Sequence, residues 1–555
     1  MTLLQSSYKK SIDYIKANFF SLLAIFIFCI CFVFYVLYDN TPPHWDGGRH
    51  FYNAFHYWEM FKNIFTTQKI NGITDSISTF VNSYYFYPPG YYIVSLPFMA
   101  IFGRNYNSVL LSNLVWIFIL CFSWTNWLKL QKLNKVSINI GLFFLLGSPF
   151  LIGQIRETML DIPSLSMIFL ILFSLEKLST NFNTKNILFF SFSMAFGLLV
   201  KWSMVVYIPI ILFLYTFKIL FALKDNKFSE YIIKITSFIY ISVVTILGIA
   251  GSWYISNLTK LNIDLKRSST DFGIKEGDPQ GFSMESFYYY VRVLLDQYFW
   301  LIWVLFLLSI SIILLITIKN NKFGTKSDYK HLIFISILSF FHFVLNFAYL
   351  MLQSNKDARF AIVLYPSIAL FFTIIVELIV ISKYKPNIIN KIEIIGFTIC
   401  LFYILNLTLP IGSKSLVLAK NSHFPITVFG NSGYTNPRSQ RKDWAMYSAL
   451  QRAGENRYNY IYRNDSCNSG DYWNSKPTIG IDFDSMPLHS NFGTVWGLSE
   501  EYGLEMGDTI DACFVIVARN TPTSEINTDK YVKDYQNIAS FDDWQGFNMI
   551  LLQKK

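Results

Sequence analysis

Phe19 to Tyr38 is a run of twenty residues without a charge. That is the length of helix that crosses the hydrocarbon of a bilayer, about 20 residues at 1.5 Å each. The run is too long for a signal-peptide core, and no small-residue cleavage site follows it, so it reads as a retained first span. Further apolar segments lie at roughly 88–103, 107–128, 137–155, 161–178, 186–200, 203–222, 235–254, 297–318, 331–352, 360–382 and 392–411. A chain that is 53% apolar and 15% charged does not have a soluble protein's balance. The expectation is an all-α polytopic membrane protein.

Lysine placement decides which segments cross. The segment at 88–103 is short, opens with Pro88-Pro89 and carries Pro97 inside. If it crossed, the lysine-rich stretches 129–135, 319–330 and 382–391 would fall outside. If it lies on the surface, all three fall inside, with 217–227 and the N-terminal lysines Lys9, Lys10 and Lys16. The positive-inside bias therefore predicts about eleven spans, a cytoplasmic N-terminus and a juxtamembrane helix at 88–103. The same parity puts 39–106, 156–161, 201–203, 255–296, 353–360 and everything after about 412 on the outer face of the plasma (inner) membrane. Residues 1–411 then form a membrane domain with long outer loops 39–106 and 255–296.

Residues 412–555 turn polar and read as an extracytoplasmic α/β domain, with a helix at 441–456 ending near Gly454 and strands at 458–463, 478–483 and 513–518. The net charge of +10 is what cytoplasmic lysines of a membrane protein supply, and it is no argument for nucleic acid. Cys29, Cys31, Cys121 and Cys400 sit in apolar runs as packing residues. Cys467 and Cys513 lie in the tail, where an oxidising compartment would allow them to pair.

Charge reappears at once after the first run, in "YDNTPPHWDGGRHFYNAF", residues 38–55. Ionisable groups at the edge of a membrane are costly and need a reason. Asp46 reads either as a helix N-cap paired with Arg49 or as a general base at the lip of a cavity. His44, His50 and His56 crowd the same loop; their spacing matches no ligand motif, so interfacial histidines are the simpler reading and a divalent metal stays open. Arg156 and Asp161 flank a short outer turn, and Lys201 follows "GLLV"; helix-end chemistry and snorkelling account for them, as does anion binding. Lys356 and Arg359 share one outer loop against the topological bias. Lipid headgroups or a bound phosphate would each explain two cations there.

A first span followed by "WDGGRHFYNAFHYWEMF", "YPPGYYIVSLPFMAIFG", "RETMLDIPSLSMIFLILFSLEK" and "NKDARFAIVLYPSIALF" resembles the GT-C membrane glycosyltransferases. The branch is that of the protein O-mannosyltransferases and the lipid A aminoarabinose transferase, and the resemblance covers roughly residues 15 to 380. It departs from that branch in having Gly47 after Asp46, where two adjacent acids are usual, and Tyr87 before the Pro-Pro pair, where histidine is usual. The resemblance implies an inverting transfer of a sugar from a polyprenyl-phosphate carrier to a hydroxyl acceptor, whether protein, lipid or glycan, on the outer face. Asp46 would be the base. Lys356, Arg359, Arg156 and Lys201 would hold the donor phosphate, with Arg49, His50, Tyr87 and Asp161 in support. A polyprenyl-linked glycan polymerase or ligase needs the same topology. A lipid-linked sugar transporter or flippase would instead place charges mid-span in matched halves, and no such halves are visible.

Overall fold

A computed structural model describes residues 18–38, 46–66, 70–223, 228–271, 273–274, 277–295, 301–319, 330–382, 386–408 and 445–461. In the tail it describes 468–469, 476–483, 495, 499, 502–509, 511–519, 521–542 and 548–555. His44, Cys467, the 411/412 boundary and most of the 319–330 stretch lie outside the described residues.

The apolar runs fold as helices because nothing else satisfies the backbone in hydrocarbon. Seven described helices are long and apolar enough to cross a membrane, and eight if the bent pair Lys135–Leu146 and Pro149–Ile155 counts as one span. The expected figure of about eleven is not established by this measure, since Thr184–Val200, Met204–Leu220 and Trp303–Ile316 are apolar but shorter. The helix Gly90–Phe102 has 13 residues, below the length of a span.

The Asp161–Thr180 helix is the axis of the bundle, packed between Asn113–Leu130 and Thr184–Val200. Trp116, Trp124 and Trp127 fill the space beside it, all fully buried. Trp124 Nε1 donates to the Ile138 carbonyl at 3.0 Å, and a side chain at Gly141 would collide with Trp124 and Thr373. Glycine there permits the close approach of Lys135–Leu146 to Tyr365–Ile381.

Two ends of the bundle are chemically distinct. Asp161 and Glu176 lie on one helix, fifteen residues and thus about 22 Å apart. At the Glu176 end, three buried glutamates tie down the 131–139 segment. Gln131 donates to Glu176, which also holds Lys218 at 2.6 Å. The Asn134 backbone N–H donates to Glu377 at 2.8 Å, and Asn139 to Glu393 at 2.6 Å. At the other end lie Asp46, Asp161, Lys201 and Arg359, from four segments that parity alone had assigned to one side.

In the tail, the strands Asn468–Ser469 (β1), Lys476–Phe483 (β2), Glu505–Met506 (β3), Phe514–Arg519 (β4), Tyr535–Phe541 (β5) and Asn548–Lys554 (β6) form one sheet. Its order is β1-β2-β4-β6-β5, with β3 paired to β2. β2 and β4 are parallel, whereas β6 runs antiparallel to both β4 and β5. Phe514, Ile516 and Ala518 pack into one cluster and Val515 and Val517 into another, so β4 is buried on both faces. The helix Ala445–Ile461 covers β2, β5 and β6. It takes in 458–461 of the strand expected at 458–463, the rest of which lies outside the described residues. Gly454 does not end it: a Cβ there would lie 2.7 Å from Tyr502 Cβ, so the glycine serves a close approach.

Candidate active site

Asp46 is the first residue of the helix Asp46–Thr66, where an acid is favoured by the helix dipole. Its carboxylate accepts from Arg359 Nη2 at 2.6 Å and lies 3.9 Å from Arg49 Nη1. Burial by itself raises the Asp46 pKa, but Arg359 and then Arg49 outweigh it and hold the carboxyl well below the usual range. The next residue is tied across the site as well, with Thr158 Oγ1 donating to the Gly47 carbonyl at 2.5 Å.

Arg359 sits between two acids. Besides Asp46, its Nε lies 2.6 Å from Asp357 Oδ2, an ion-pair contact without the alignment of a hydrogen bond, and Nη1 reaches Met159 Sδ at 3.4 Å. Asp357 also accepts the Arg359 backbone N–H at 3.0 Å and so caps the 3-10 turn Ala358–Leu364. The turn presents Arg359 and Phe360 to the site.

Lys201 occupies the break between Thr184–Val200 and Met204–Leu223. Its ammonium donates to Asp161 at 2.9 Å, with only 10% and 2% of the two side chains exposed. It also lies 5.8 Å from the Phe360 ring centroid, one residue from Arg359. Asp161 opens its own helix, and Asn113 supports the turn before it by donating to the carbonyls of Ile155 and Glu157.

His50 lies one turn after Asp46, with Nδ1 2.9 Å from Tyr92 Oη and its ring against Tyr87 at 4.7 Å. Burial, with Arg49, Arg359 and Lys201 adding to it against the pull of Asp46, lowers its pKa to about 3, so the imidazole is neutral. Burial, and then the Asp46 charge, push the Tyr87 phenol up, leaving a protonated hydroxyl beside the acid.

Not every candidate joins the group. The Lys356 ammonium donates to the carbonyls of Leu350, Met351 and Gln353 and therefore caps the helix Lys330–Leu352. Its backbone N–H donates to Asp278, and its carbonyl accepts from Tyr289 Oη. Lys356 is thus the point where the segment before Leu294 is fastened to the Arg359 loop. Arg156 lies 4.6 Å over the Tyr35 ring, which ties it to the first helix. Arg49 is the exposed cation of the site, at 44%, with its guanidinium 5.5 Å over Phe86. His56 stacks on Tyr85 at 5.1 Å. Among the described residues no group of three or more His, Cys, Asp or Glu is placed to hold a metal ion.

Asp357, Phe360, Trp202 and Phe86 belong to the site, although residue chemistry alone did not single them out as site residues. The signal for the last was the density of rings in "SYYFYPPGYY", residues 83–92.

No protein-family model and no curated protein matches the chain's sequence. Solved structures do match its fold. One is ArnT from Cupriavidus metallidurans bound to undecaprenyl phosphate, with a TM-score of 0.53 and 9% identity over 96% of this chain and 97% of that one. Another is the apo state of the same protein, with a TM-score of 0.53 and 10% identity over 98% of each chain. The chain therefore has the ArnT-like polytopic fold with a small C-terminal sheet domain.

Proposed function

We propose that the protein is an inverting glycosyltransferase that moves a sugar from a polyprenyl-phosphate carrier to a hydroxyl acceptor at the outer face of the membrane. The observation that carries this reading is the site itself. An acid at a helix start and two cations from separate elements, Lys201 and Arg359, meet at one end of an apolar bundle. The neighbouring fold, crystallised with undecaprenyl phosphate, supports a carrier of that class. Cys513 is disulfide-bonded, as suits a tail in an oxidising compartment.

In this reading the acceptor oxygen attacks the anomeric carbon from the face opposite the phosphate. The new C–O bond forms as the bond from that carbon to the phosphate oxygen breaks. The electron pair leaves with the polyprenyl phosphate, and the acceptor's proton goes to Asp46. Arg359 and Lys201 balance the charge that develops on the leaving phosphate. Asp161 holds the Lys201 ammonium in position at 2.9 Å, and Asp357 holds Arg359 through Nε.

A carboxylate clamped by Arg359 is a poor base, because a base works best with a pKa near the working pH. The donor phosphate competes for the same guanidinium. Drawing Arg359 away from Asp46 raises the basicity of Asp46 only when the donor is in place.

The test is transfer of label from a panel of radiolabelled polyprenyl-phosphate sugars to a membrane extract, by protein in nanodiscs, with Asp46→Asn beside it. Transfer from one carrier by wild type alone is expected. No turnover with any carrier by folded protein would remove the transferase reading.

A further inference from the structure

Phe86 holds a backbone φ of +70°, a conformation that L side chains with a bulky ring rarely adopt. Lys132 is the only other non-glycine residue above zero among those described. The strain is imposed from both sides. Tyr85 and Tyr87 form an antiparallel bridge, so the chain doubles back with Phe86 at its tip. The Tyr85 carbonyl accepts from Asn53 at 3.1 Å and its ring lies on His56. Tyr87 is buried against His50 and leads into Pro88-Pro89. A glycine at the tip would remove the strain, so the residue present is there for its ring.

That ring faces the reacting groups rather than the core alone. It packs edge-on to Tyr87 at 4.6 Å and to Trp202 at 6.4 Å, and Arg49 lies over it at 5.5 Å. Arg49 leads to Asp46, 3.9 Å away, and Trp202 is the residue after Lys201, which holds Asp161. Phe86 therefore lies between the acid side and the cation side of the site. The Trp202 indole N–H, moreover, is buried without a hydrogen-bond partner. A donor left so costs stability unless a bound group satisfies it.

We infer that Phe86 and Trp202 form the sugar subsite of the donor: a pyranose stacks its C–H face on the Phe86 ring while one of its hydroxyls accepts from Trp202 Nε1. The inference rests on the transferase reading. The anomeric carbon must lie between Asp46 and the phosphate held by Arg359 and Lys201, and the rest of the sugar ring extends onto the neighbouring wall, which these two aromatics supply. Arg49, exposed beside them, is a donor for further hydroxyls. Bare polyprenyl phosphate has no group for this subsite, so the two aromatics discriminate the loaded carrier from the spent one.

The experiment measures the affinity of full-length protein in nanodiscs for undecaprenyl phosphate and for undecaprenyl-phosphoryl hexoses. Wild type is compared with F86G, F86W and W202F. F86G accepts the backbone conformation without strain, so bare-carrier affinity stays within about twofold, while the preference for the sugar-loaded carrier drops about tenfold, the scale of one aromatic contact. F86W restores that preference, and W202F, which keeps a ring but loses the N–H, lowers it. An unchanged preference in F86G overturns the subsite and makes Phe86 a packing residue. An equal loss of both ligands overturns it too, as a collapse of the site. Wild type that binds neither carrier fails the transferase reading itself, and the subsite falls with it.

Discussion

The Lys201–Asp161 pair gives the site's sharpest energetic prediction. Both side chains are nearly sealed from solvent and their charges meet at 2.9 Å. Removing one partner of a buried pair strands the other charge, at a cost of about 3–5 kcal/mol. D161N should therefore destabilise the protein by that amount, because the amide keeps the shape of the carboxylate and loses its charge. K201M on top of it removes the stranded ammonium and should recover part of the loss, a buried amide costing less than a buried unpaired charge. K201M alone strands the Asp161 carboxylate in the same way, so the double change should cost far less than the two single changes added together. The two changes part company in the presence of ligand. In D161N the phosphate of undecaprenyl phosphate replaces the missing anion, so the ligand should raise the inactivation midpoint of D161N more than that of wild type, and of D161N/K201M least. Residual folded protein after heating or urea, read by size exclusion in nanodiscs with and without the carrier, gives all four corners. D161N within about 1 kcal/mol of wild type, or equal stabilisation of every variant by carrier, would refute the reasoning that Lys201 is a buried cation shared between Asp161 and a phosphate.

Asp46→Asn should lower the transfer rate by about 10²–10⁴ while holding or tightening undecaprenyl phosphate, because Arg359 is released; weakened binding would contradict that competition. His50 has a folded pKa of about 3 against about 6.5 unfolded, so its contribution to stability is present above pH 6.5 and is lost as pH falls toward 3. At pH 5 the loss is about 2 kcal/mol, and H50N should flatten the acid limb of a stability–pH curve; an unaltered limb would mean that another group sets it. Lys356→Met frees the carbonyls of Leu350 and Met351 in the last turn of the helix Lys330–Leu352, and of Gln353 just after it, and should cost about 1–3 kcal/mol with the donor KM unchanged. A donor-specific defect would return Lys356 to the phosphate.

What the chain disclosed in advance was which of its segments meet. Counting spans by lysine bias placed 39–106, 156–161, 201–203 and 353–360 on one side, and the structure pairs Thr158 with Gly47, Asp161 with Lys201 and Asp46 with Arg359 across those segments, with Lys201 beside the Phe360 ring. Residue type and topology suffice for that. They do not say which of two neighbouring cations faces inward. Lys356 and Arg359 are three residues apart, yet one closes a helix end and the other reaches Asp46. The difference is made by where the Lys330–Leu352 helix stops and where Asp357 starts the 3-10 turn. Arg156 was equally eligible, and the Tyr35 ring took it. Phe86 carries no chemistry that marks it, because its place in the site follows from a backbone dihedral. The tail misled for a similar reason. Tyr458–Ile461 has strand composition, but a helix whose Gly454 lets it close on Tyr502 extends through it.

The charges of the site also constrain the order of events. Asp46, Asp161 and Asp357 face Arg49, Lys201 and Arg359, three acids against three cations, so these charges balance and each principal pair is internally satisfied. An acceptor hydroxyl arriving first meets a carboxylate whose best lone pair is taken by Arg359 at 2.6 Å. On the transferase reading, a phosphate arriving first would disturb the balance, because Arg359 and Lys201 would then have a second anion to serve. Arg359 is the one able to redistribute: Asp357, two residues away on the same turn, holds its Nε, while the Nη2 bond to Asp46 crosses between elements. Turning about the Asp357 contact would, on that reading, carry the guanidinium from base to phosphate without unpairing it. On the transferase reading, the Arg359–Asp46 bond is the one for which a donor phosphate competes, and hydroxyl activation would follow donor binding as a consequence of which groups Arg359 can touch.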